Sequence, residues 1–304
     1  MRAARTFIPA LLLAAIILMF SGCAELKQGI ESLPGVKLST SDTQAVVKTT
    51  KALRKSFSDI TEEEEYYIGR SVSALILSKY SVYNNNAVTR YVNTVGNAVA
   101  LYSDRPEIYS GYHFLVLDSD EVNALAAPGG FIFITKGLLK RCVDEEMLAG
   151  ILAHEVGHVS AKHGLRSIKK SRLIDAFKIM GQEAAAKYGP DELAQLSDVF
   201  EDVLGDISER LIERGYDRKY EYEADRLSVK FTSKTCYDPN GLVDFLRTMV
   251  DDSSKGSVHG WFRTHPSAKD RLNRARKEIS ALKTVPQKVA VRTTRFKEAV
   301  KSLK

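Results

Sequence analysis

The segment His154-Glu155-Val156-Gly157-His158 constrains this chain more than any other part of its sequence. If it is helical, His154 and His158 lie one turn apart on one face, so both imidazoles can reach the same metal ion. Glu155 is rotated by about 100° from His154 but stays beside that ion, where a carboxylate can take a proton from zinc-bound water. The alternative is a surface helix with two unrelated histidines. We expect the metal site, because strands precede this helix and an acidic helix follows it.

An acidic segment about sixty residues later, Glu221-Tyr222-Glu223-Ala224-Asp225, offers a third ligand. A catalytic zinc site uses three protein ligands and keeps one position open. Glu221 is the candidate ligand, and Asp225 lies one turn beyond it, where a carboxylate can accept the second N–H of a zinc-bound histidine. Taken alone, such a run is usually a solvated helix face. Together with the upstream histidines it predicts one Zn²⁺ per chain.

The pattern of the whole chain predicts an α+β fold: a mainly helical, zincin-like single domain with a small mixed β-sheet beside the His154–His158 helix. Thr61 and Glu64 form a capping-box pattern at the start of the first helix, and Asp144 caps the helix that carries the histidines, which Gly164 should close. We expect further helices that end at about 101, that cover 166–187, 190–214 and 217–235, that start at Asp238, and that cover 264 to about 282. We expect one strand at 112–118 and two more within 122–135, on either side of a Pro128-Gly129-Gly130 turn.

The first residues resemble a bacterial lipoprotein signal. Arg2 and Arg5 precede an apolar run over 7–20, which is shorter than the roughly 20 residues that a spanning helix needs. The run ends in Ser21-Gly22-Cys23, which predicts cleavage before Cys23 and acylation of that residue. An ordinary secretory signal cut nearby is the alternative. We therefore expect a signal peptide (1–22), a tether (23–58), the main domain (59–283) and a basic tail (284–304), on a lipid-anchored protein on the periplasmic face of a bacterial envelope, at the outer membrane.

Composition excludes several classes of protein. Hydrophobic residues make up 44% and charged residues 27% of the chain, as in an ordinary globular protein. The basic excess is mild, so nucleic acid is not an expected partner. Cys142 and Cys236 either pair or are two buried free thiols, and the basic tail is either solvated or touches anionic lipid or a partner. His163 should be a helix-end cation, while His113 and His259 should be structural.

Three motifs in this order resemble the zinc peptidases of the HtpX and CAAX-prenyl-protease type, in their periplasmic lipoprotein (LoiP/BepA-like) branch. The first is His154-Glu155-x-x-His158, and the second is Glu221-x-x-Ala224-Asp225. Thr264-His265-Pro266, with Arg271 beyond it, is the third, and Asn123-Ala124-x-Ala126-x-Pro128-Gly129 also matches. The resemblance covers about residues 60–283.

This resemblance implies roles for individual residues. His154, His158 and Glu221 become the zinc ligands, Glu155 becomes the general base, and Asp225 becomes a partner of a zinc-bound histidine. His265 falls where the family has a histidine near the metal, so it either stabilises the oxyanion, occupies the fourth zinc position in a resting state, or takes no part.

The strand that follows the Pro-Gly-Gly turn has two interpretations. As an edge strand over the zinc, it pairs with an extended substrate backbone through Gly130, Phe131, Ile132 and Phe133. As a core strand, it is simply buried, which its apolar side chains would also allow.

The leading functional interpretation is a zinc endopeptidase that cleaves unfolded or damaged cell-envelope proteins, a substrate class that rests on the resemblance. A metal-bearing chaperone or assembly factor for outer-membrane proteins is the second interpretation, although the intact Glu155 argues against a pure binder. A latent protease, held off by His265 or by a gating segment over 166–214, is the third. Oligomeric state is not predicted.

Overall fold

The computed structural model describes residues 60–167, 204–205, 207, 209–253, 261–265 and 268–303. Ile60–Lys304 form one compact unit. Its helices are α1 (Glu62–Lys79), α2 (Asn86–Ala100), α3 (Lys136–Arg141), α4 (Glu145–Ser160), α5 (His163–Arg166), α6 (Arg218–Lys234), α7 (Asn240–Ser253), α8 (Trp261–Thr264), α9 (Ala268–Ser280) and α10 (Ala290–Val300), with a π-helix over Arg210–Arg214 and 3-10 turns at Pro128–Gly130 and Lys301–Leu303. The strands are β1 (His113–Leu117), β2 (Ala124–Ala127) and β3 (Phe131–Thr135).

Several predictions fall outside the described residues: the signal peptide (1–22), Cys23, the tether (23–58), His259 and most of the two helices predicted within 166–214. The domain boundaries therefore stay predictions. In the part that is described, no helix is long and apolar enough to cross a membrane. A mainly helical unit with a small mixed sheet confirms the predicted α+β class.

Local sequence signals mark where the first two helices, α1 and α2, begin. The side chain of Thr61 accepts from the backbone N–H of Glu64, and the side chain of Glu64 accepts from the backbone N–H of Thr61, which is the predicted capping box. Asn85 caps α2 by accepting from the backbone N–H groups of Ala87 and Val88. These caps satisfy amide donors that the first turn of each helix leaves without partners.

The sheet has the order β1-β3-β2, with β1 parallel and β2 antiparallel to β3. The strand after the Pro-Gly-Gly turn, β3, is thus the central strand, and both of its sides are already paired. The interpretation of Gly130, Phe131, Ile132 and Phe133 as a substrate-binding edge strand is therefore wrong. The alternative, a core strand, is confirmed: Ile132 and Phe133 are buried.

Helix α4 runs through the interior, and every residue from Glu145 to Val159 is buried. Glycines let its neighbours approach closely: a Cβ on Gly157 would lie 3.2 Å from the carbonyl oxygen of Ala224 on α6, and a Cβ on Gly150 would lie 2.6 Å from the backbone nitrogen of Leu242 on α7. The helix ends at Ser160, short of the predicted Gly164, because Lys162 adopts a left-handed conformation with φ of 54°. The chain therefore turns and starts α5 at His163.

The basic C-terminal segment is folded, so its interpretation as a solvated tail is wrong. Phe296 of α10 is 2% exposed and packs near the Tyr91 ring. Lys288, Arg292 and Arg295 form ion pairs with Asp144, Glu146 and Glu145, respectively, at the start of α4. Acidic residues are favoured at the start of a helix by its dipole, and at the start of α4 they also form the surface that binds this basic segment.

The two cysteines considered for a disulfide are both free. Cys142 is buried and Cys236 is exposed, so the alternative of two buried thiols is right only for Cys142. Burial raises the pKa of the Cys142 thiol, which keeps it protonated and unreactive.

Candidate metal centre

The two histidines of α4 point into one buried space. Their Nε2 atoms are 3.0 Å apart, and the exposed fractions of His154 and His158 are 0% and 1%. This follows from the one-turn spacing in a helix. The structure therefore brings together the first two predicted ligand residues.

Helix α6 supplies the third predicted ligand residue. The Oε2 atom of Glu221 lies 3.6 Å from Nε2 of His154, and its Oε1 atom lies 3.4 Å from Nε2 of His158. The close approach of α6 to α4 at Gly157 makes these distances possible. All three side chains are buried and aim their ligand atoms at one point.

His265, just after α8, completes the cluster. Ligand atoms of His154, His158, Glu221 and His265 all lie within 4.8 Å of one another. Nδ1 of His265 is 3.0 Å from Oε2 of Glu221, and its Nε2 is 3.3 Å from the carbonyl oxygen of Ala124 on β2. The Trp261 ring stacks on this imidazole with centroids 4.0 Å apart, which fixes its plane.

Asp225 and Arg271 contact the side chains of the cluster. Oδ1 of Asp225 lies 2.9 Å from Nδ1 of His154, so this imidazole directs Nε2 toward the cluster. Arg271 on α9 donates twice to Asp225, at 2.8 Å from Nε and from Nη2, and its Nη1 lies 2.9 Å from Oε2 of Glu221. Sequence reasoning gave Arg271 no role beyond its place in a motif, because nothing local shows that α9 returns to α6.

Glu155 differs from the other acids of the site. Its carboxylate is 1% exposed, and neither oxygen has a hydrogen-bond partner among the described residues. The nearest ring nitrogen that could pair with it, Nε2 of His265, is 3.8 Å from Oε1. Burial raises the pKa of Glu155, so this group takes up a proton more readily than an ordinary glutamate.

The charges of the cluster fit a divalent cation. Three carboxylates, those of Glu155, Glu221 and Asp225, face one guanidinium, that of Arg271, among the described residues. Burial lowers the pKa of His154, but hydrogen bonds to Asp225 and Glu221 outweigh burial and raise it to about 9. Two imidazoles and a carboxylate form a donor set that suits zinc, and the surplus negative charge favours a metal ion.

The prediction that His163 is a helix-end cation is wrong. Its side chain is fully buried, its Nδ1 is 2.9 Å from Nδ1 of His158, and its Nε2 is 3.1 Å from Oε2 of Glu223. Burial lowers the pKa of His163 to about 3, with a further contribution from His158, so the ring is neutral. Burial likewise lowers the pKa of His158 to about 3. The other structural histidine that is described, His113, is exposed and stacks on Phe131.

The edge strand beside the cluster is β2. The carbonyl of Asn123 accepts from the N–H of Thr135, so the alternate residues Ala124 and Ala126 turn their backbone groups away from β3. The carbonyl of Ala124 meets His265, and that of Ala126 accepts from the hydroxyl of Tyr216 at 3.3 Å. The backbone edge that faces the candidate metal centre therefore belongs to β2.

The sequence profile of Peptidase family M48 matches residues 86–279 of the chain. This span contains all the residues of the cluster, from β2 to α9. The match includes the three motifs that carried the resemblance to zinc peptidases, and it confirms the predicted class of metallopeptidase.

Several curated proteins are similar in sequence. Mitochondrial metalloendopeptidase OMA1 of Schizosaccharomyces pombe is 27% identical over 229 residues, which cover 73% of this chain and 63% of that protein. The beta-barrel assembly-enhancing protease of Escherichia coli K12 is 26% identical over 205 residues, 66% of this chain and 40% of that protein. Metalloprotease YcaL of the same strain is 30% identical over 169 residues, 56% of this chain and 63% of that protein. The chain thus spans less than two thirds of the length of these relatives.

Proposed function

The chain belongs to Peptidase family M48, and from this premise we propose that it is a zinc-dependent endopeptidase. His154, His158 and Glu221 hold the ion. The observation that carries the proposal is Glu155, a buried carboxylate that has no donor among the described residues and lies beside three converging ligand atoms. Such a carboxylate is costly to bury, and a binding protein has no need of it.

Each residue of the centre has a distinct task in peptide hydrolysis. Zinc, when bound, supplies a Lewis acid that polarises the scissile carbonyl and acidifies water. Glu155 accepts the proton of the attacking water and returns it to the leaving amine. His265 donates to the carbonyl oxygen as negative charge develops there, and Asp225 keeps His154 in the tautomer that presents Nε2.

Strand β2 is the proposed docking edge for the substrate backbone. The backbone groups of Ala124 and Ala126 face the metal centre, and an extended peptide can pair with them without any sequence requirement. In this structure the carbonyl of Ala126 accepts from the hydroxyl of Tyr216, and that of Ala124 lies 3.3 Å from Nε2 of His265, so both side chains must move for pairing to occur. Backbone pairing suits unfolded chains, because only they offer a free extended strand.

The proposed substrates are unfolded or damaged polypeptides of the bacterial cell envelope. Two observations support this class: the backbone carbonyls of Ala124 and Ala126 on the edge strand β2 face away from β3, and one relative bears the name beta-barrel assembly-enhancing protease. The N-terminal sequence around Cys23 supports a lipid-anchored protein on the periplasmic face, at the outer membrane.

A latent form of the same enzyme is the second candidate. It is favoured by the burial of the whole site and by His265, whose ligand atoms belong to the same cluster as those of the three ligands. In such a form His265 takes the fourth position that substrate and water need. A chaperone that uses the β2 edge without cleavage is the remaining alternative.

The experiment that tests these alternatives is cleavage of casein or of an unfolded outer-membrane protein by residues 24–304, with zinc quantified. Glu155→Gln is the matched control, because it removes the base but keeps size and ligands. Cleavage that requires one zinc per chain and is lost in Glu155→Gln establishes the peptidase. If the folded, zinc-loaded protein cleaves the substrate only when it carries the substitution His265→Ala, the result indicates the latent form. If the folded protein binds no zinc, the result contradicts the metal centre.

A further inference from the structure

We propose that His163 is a positioning residue for the metal centre: it fixes the tautomer and ring orientation of His158 through a chain of hydrogen bonds that ends at Glu223. The inference rests on the proposed zinc site and adds a residue to it. His163 does not touch the ion or the substrate. It acts through His158 alone.

The geometry behind this inference is a continuous line of short contacts. His158 presents Nε2 to the cluster, and its other ring nitrogen, Nδ1, lies 2.9 Å from Nδ1 of His163. Nε2 of His163 lies 3.1 Å from Oε2 of Glu223, and the same oxygen accepts from Nη1 of Arg166 at 3.0 Å. His158 and His163 are buried, whereas the Glu223 side chain is 32% exposed.

The positions of the protons follow from this geometry. A histidine that offers the Nε2 lone pair to a metal is neutral and carries its proton on Nδ1. That N–H of His158 needs an acceptor, so Nδ1 of His163 must be unprotonated. The proton of His163 is then on Nε2, where the carboxylate of Glu223 accepts it. Only one arrangement of protons satisfies all three groups.

The two histidine ligands are thus supported differently. His154 contacts a carboxylate directly, Asp225, whereas His158 reaches its carboxylate through a second imidazole. Ring packing holds that intermediate in place: the Tyr220 ring lies 4.6 Å from the His163 ring, and the guanidinium of Arg166 lies 4.9 Å above Tyr220. Glu223, the last residue in this series of hydrogen bonds, lies at the surface beside Arg166.

The test compares two variants of His163 in the full chain. His163→Leu keeps a side chain of similar bulk but removes the acceptor, whereas His163→Asn places an amide oxygen where Nδ1 was. Zinc affinity is measured by competition with a chelator, and the ligand field by the absorption spectrum of the Co²⁺-substituted protein. We expect His163→Leu to weaken zinc binding about 10- to 100-fold and to shift the Co²⁺ bands. His163→Asn should stay within about threefold of the wild type.

His113→Leu is the matched control, because His113 is exposed, stacks on Phe131 and is not one of the described residues of the cluster. It should leave zinc affinity and the Co²⁺ spectrum unchanged. Glu223→Ala is a second variant for the case that His163→Leu does not fold, since the Glu223 side chain is partly exposed. It removes the acceptor at the outer end and should weaken zinc binding by a smaller factor than His163→Leu.

Each result decides the inference. Zinc affinity of folded His163→Leu within threefold of the wild type overturns it, as does a loss in His163→Asn equal to that in His163→Leu. If His163→Leu does not fold, unchanged zinc affinity in Glu223→Ala overturns it. A wild-type chain that binds no zinc contradicts the metal centre itself. A chain that binds zinc but cleaves nothing contradicts only the proposed activity, because both readouts are measured without substrate.

Discussion

Two of the buried glutamates of helix α4 differ in their surroundings: Glu145 in its first turn and Glu155 in its second half, which are 0% and 1% exposed. Glu145 accepts from the hydroxyls of Tyr91 and Tyr237, both at 2.8 Å, and from Arg295. Glu155 accepts from no described residue. The pKa values move in opposite directions: burial would raise that of Glu145, but its donors lower it, whereas burial raises that of Glu155. Burial therefore does not reveal the role of a carboxylate; its donors do.

The same contrast holds for the charges around each glutamate. At the start of α4, three carboxylates meet three cations, with Asp144, Glu145 and Glu146 paired to Lys288, Arg295 and Arg292. At the candidate metal centre, three carboxylates meet two cations among the described residues, Arg271 and the imidazole of His154, whose pKa is raised to about 9. The charges of the first cluster balance, and its ion pairs join the C-terminal segment to the start of α4. The second has a surplus of negative charge that a divalent ion can offset.

Glu155→Gln should have the largest effect, and on activity only. We expect cleavage to fall by about 10²- to 10⁴-fold, because the amide cannot take a proton from water. Stability should not fall, because the replaced carboxylate accepts from no donor in the part of the chain that the structure describes. Peptide cleavage and urea unfolding of both proteins check this. A Glu155→Gln protein that is clearly less stable than the wild type would contradict the contrast with Glu145.

Zinc should stabilise the protein through the second cluster. At about 1,000 times its Kd, a ligand that binds only the folded state adds about 4 kcal/mol to the free energy of unfolding. Thermal unfolding with zinc and with a chelator measures this difference. Mg²⁺ at the same concentration is the control, because its preference for oxygen ligands does not fit two imidazoles.

Glu145→Ala should show the reverse of Glu155→Gln. The change leaves the hydroxyls of the buried Tyr237 and the partly buried Tyr91 without their acceptor and Arg295 without its partner, so we expect a loss of about 3 kcal/mol in the free energy of unfolding. The zinc affinity of the folded protein should remain close to that of the wild type. Urea unfolding and chelator competition test the two halves of this expectation separately, and a large loss of zinc affinity at unchanged stability would refute it.

Tyr91→Phe should have the smallest effect. It removes one of the donors to Glu145 and keeps the ring that packs near Phe296, so the expected loss is about 1 kcal/mol of unfolding free energy. Tyr83→Phe, another partly buried tyrosine next to the main core, serves as the control for ring substitution. Equal losses in the two variants would show that the hydroxyl of Tyr91 contributes nothing specific.

Local sequence determined much of this protein. The one-turn spacing of His154 and His158 places both imidazoles on one face of any helix, and Asp144 and Thr61 mark where helices begin. These features depend on a few neighbouring residues, so a pattern read along the chain finds them. The α+β class and the first two ligand residues could be predicted for this reason, whereas the peptidase family followed from the resemblance of three separated motifs to known zinc peptidases.

Only the tertiary structure decided which partners these residues meet. Sequence order does not reveal that β3 lies between β1 and β2, so the sequence favours an edge strand at Gly130–Phe133, whereas the edge strand beside the metal cluster is β2. His163 reads as a cation at a helix end, yet Lys162 turns the chain inward and buries its ring against His158. Arg271 and the basic C-terminal segment reach their carboxylates across long separations along the chain. Such contacts depend on how helices pack, and a local pattern carries no information about that.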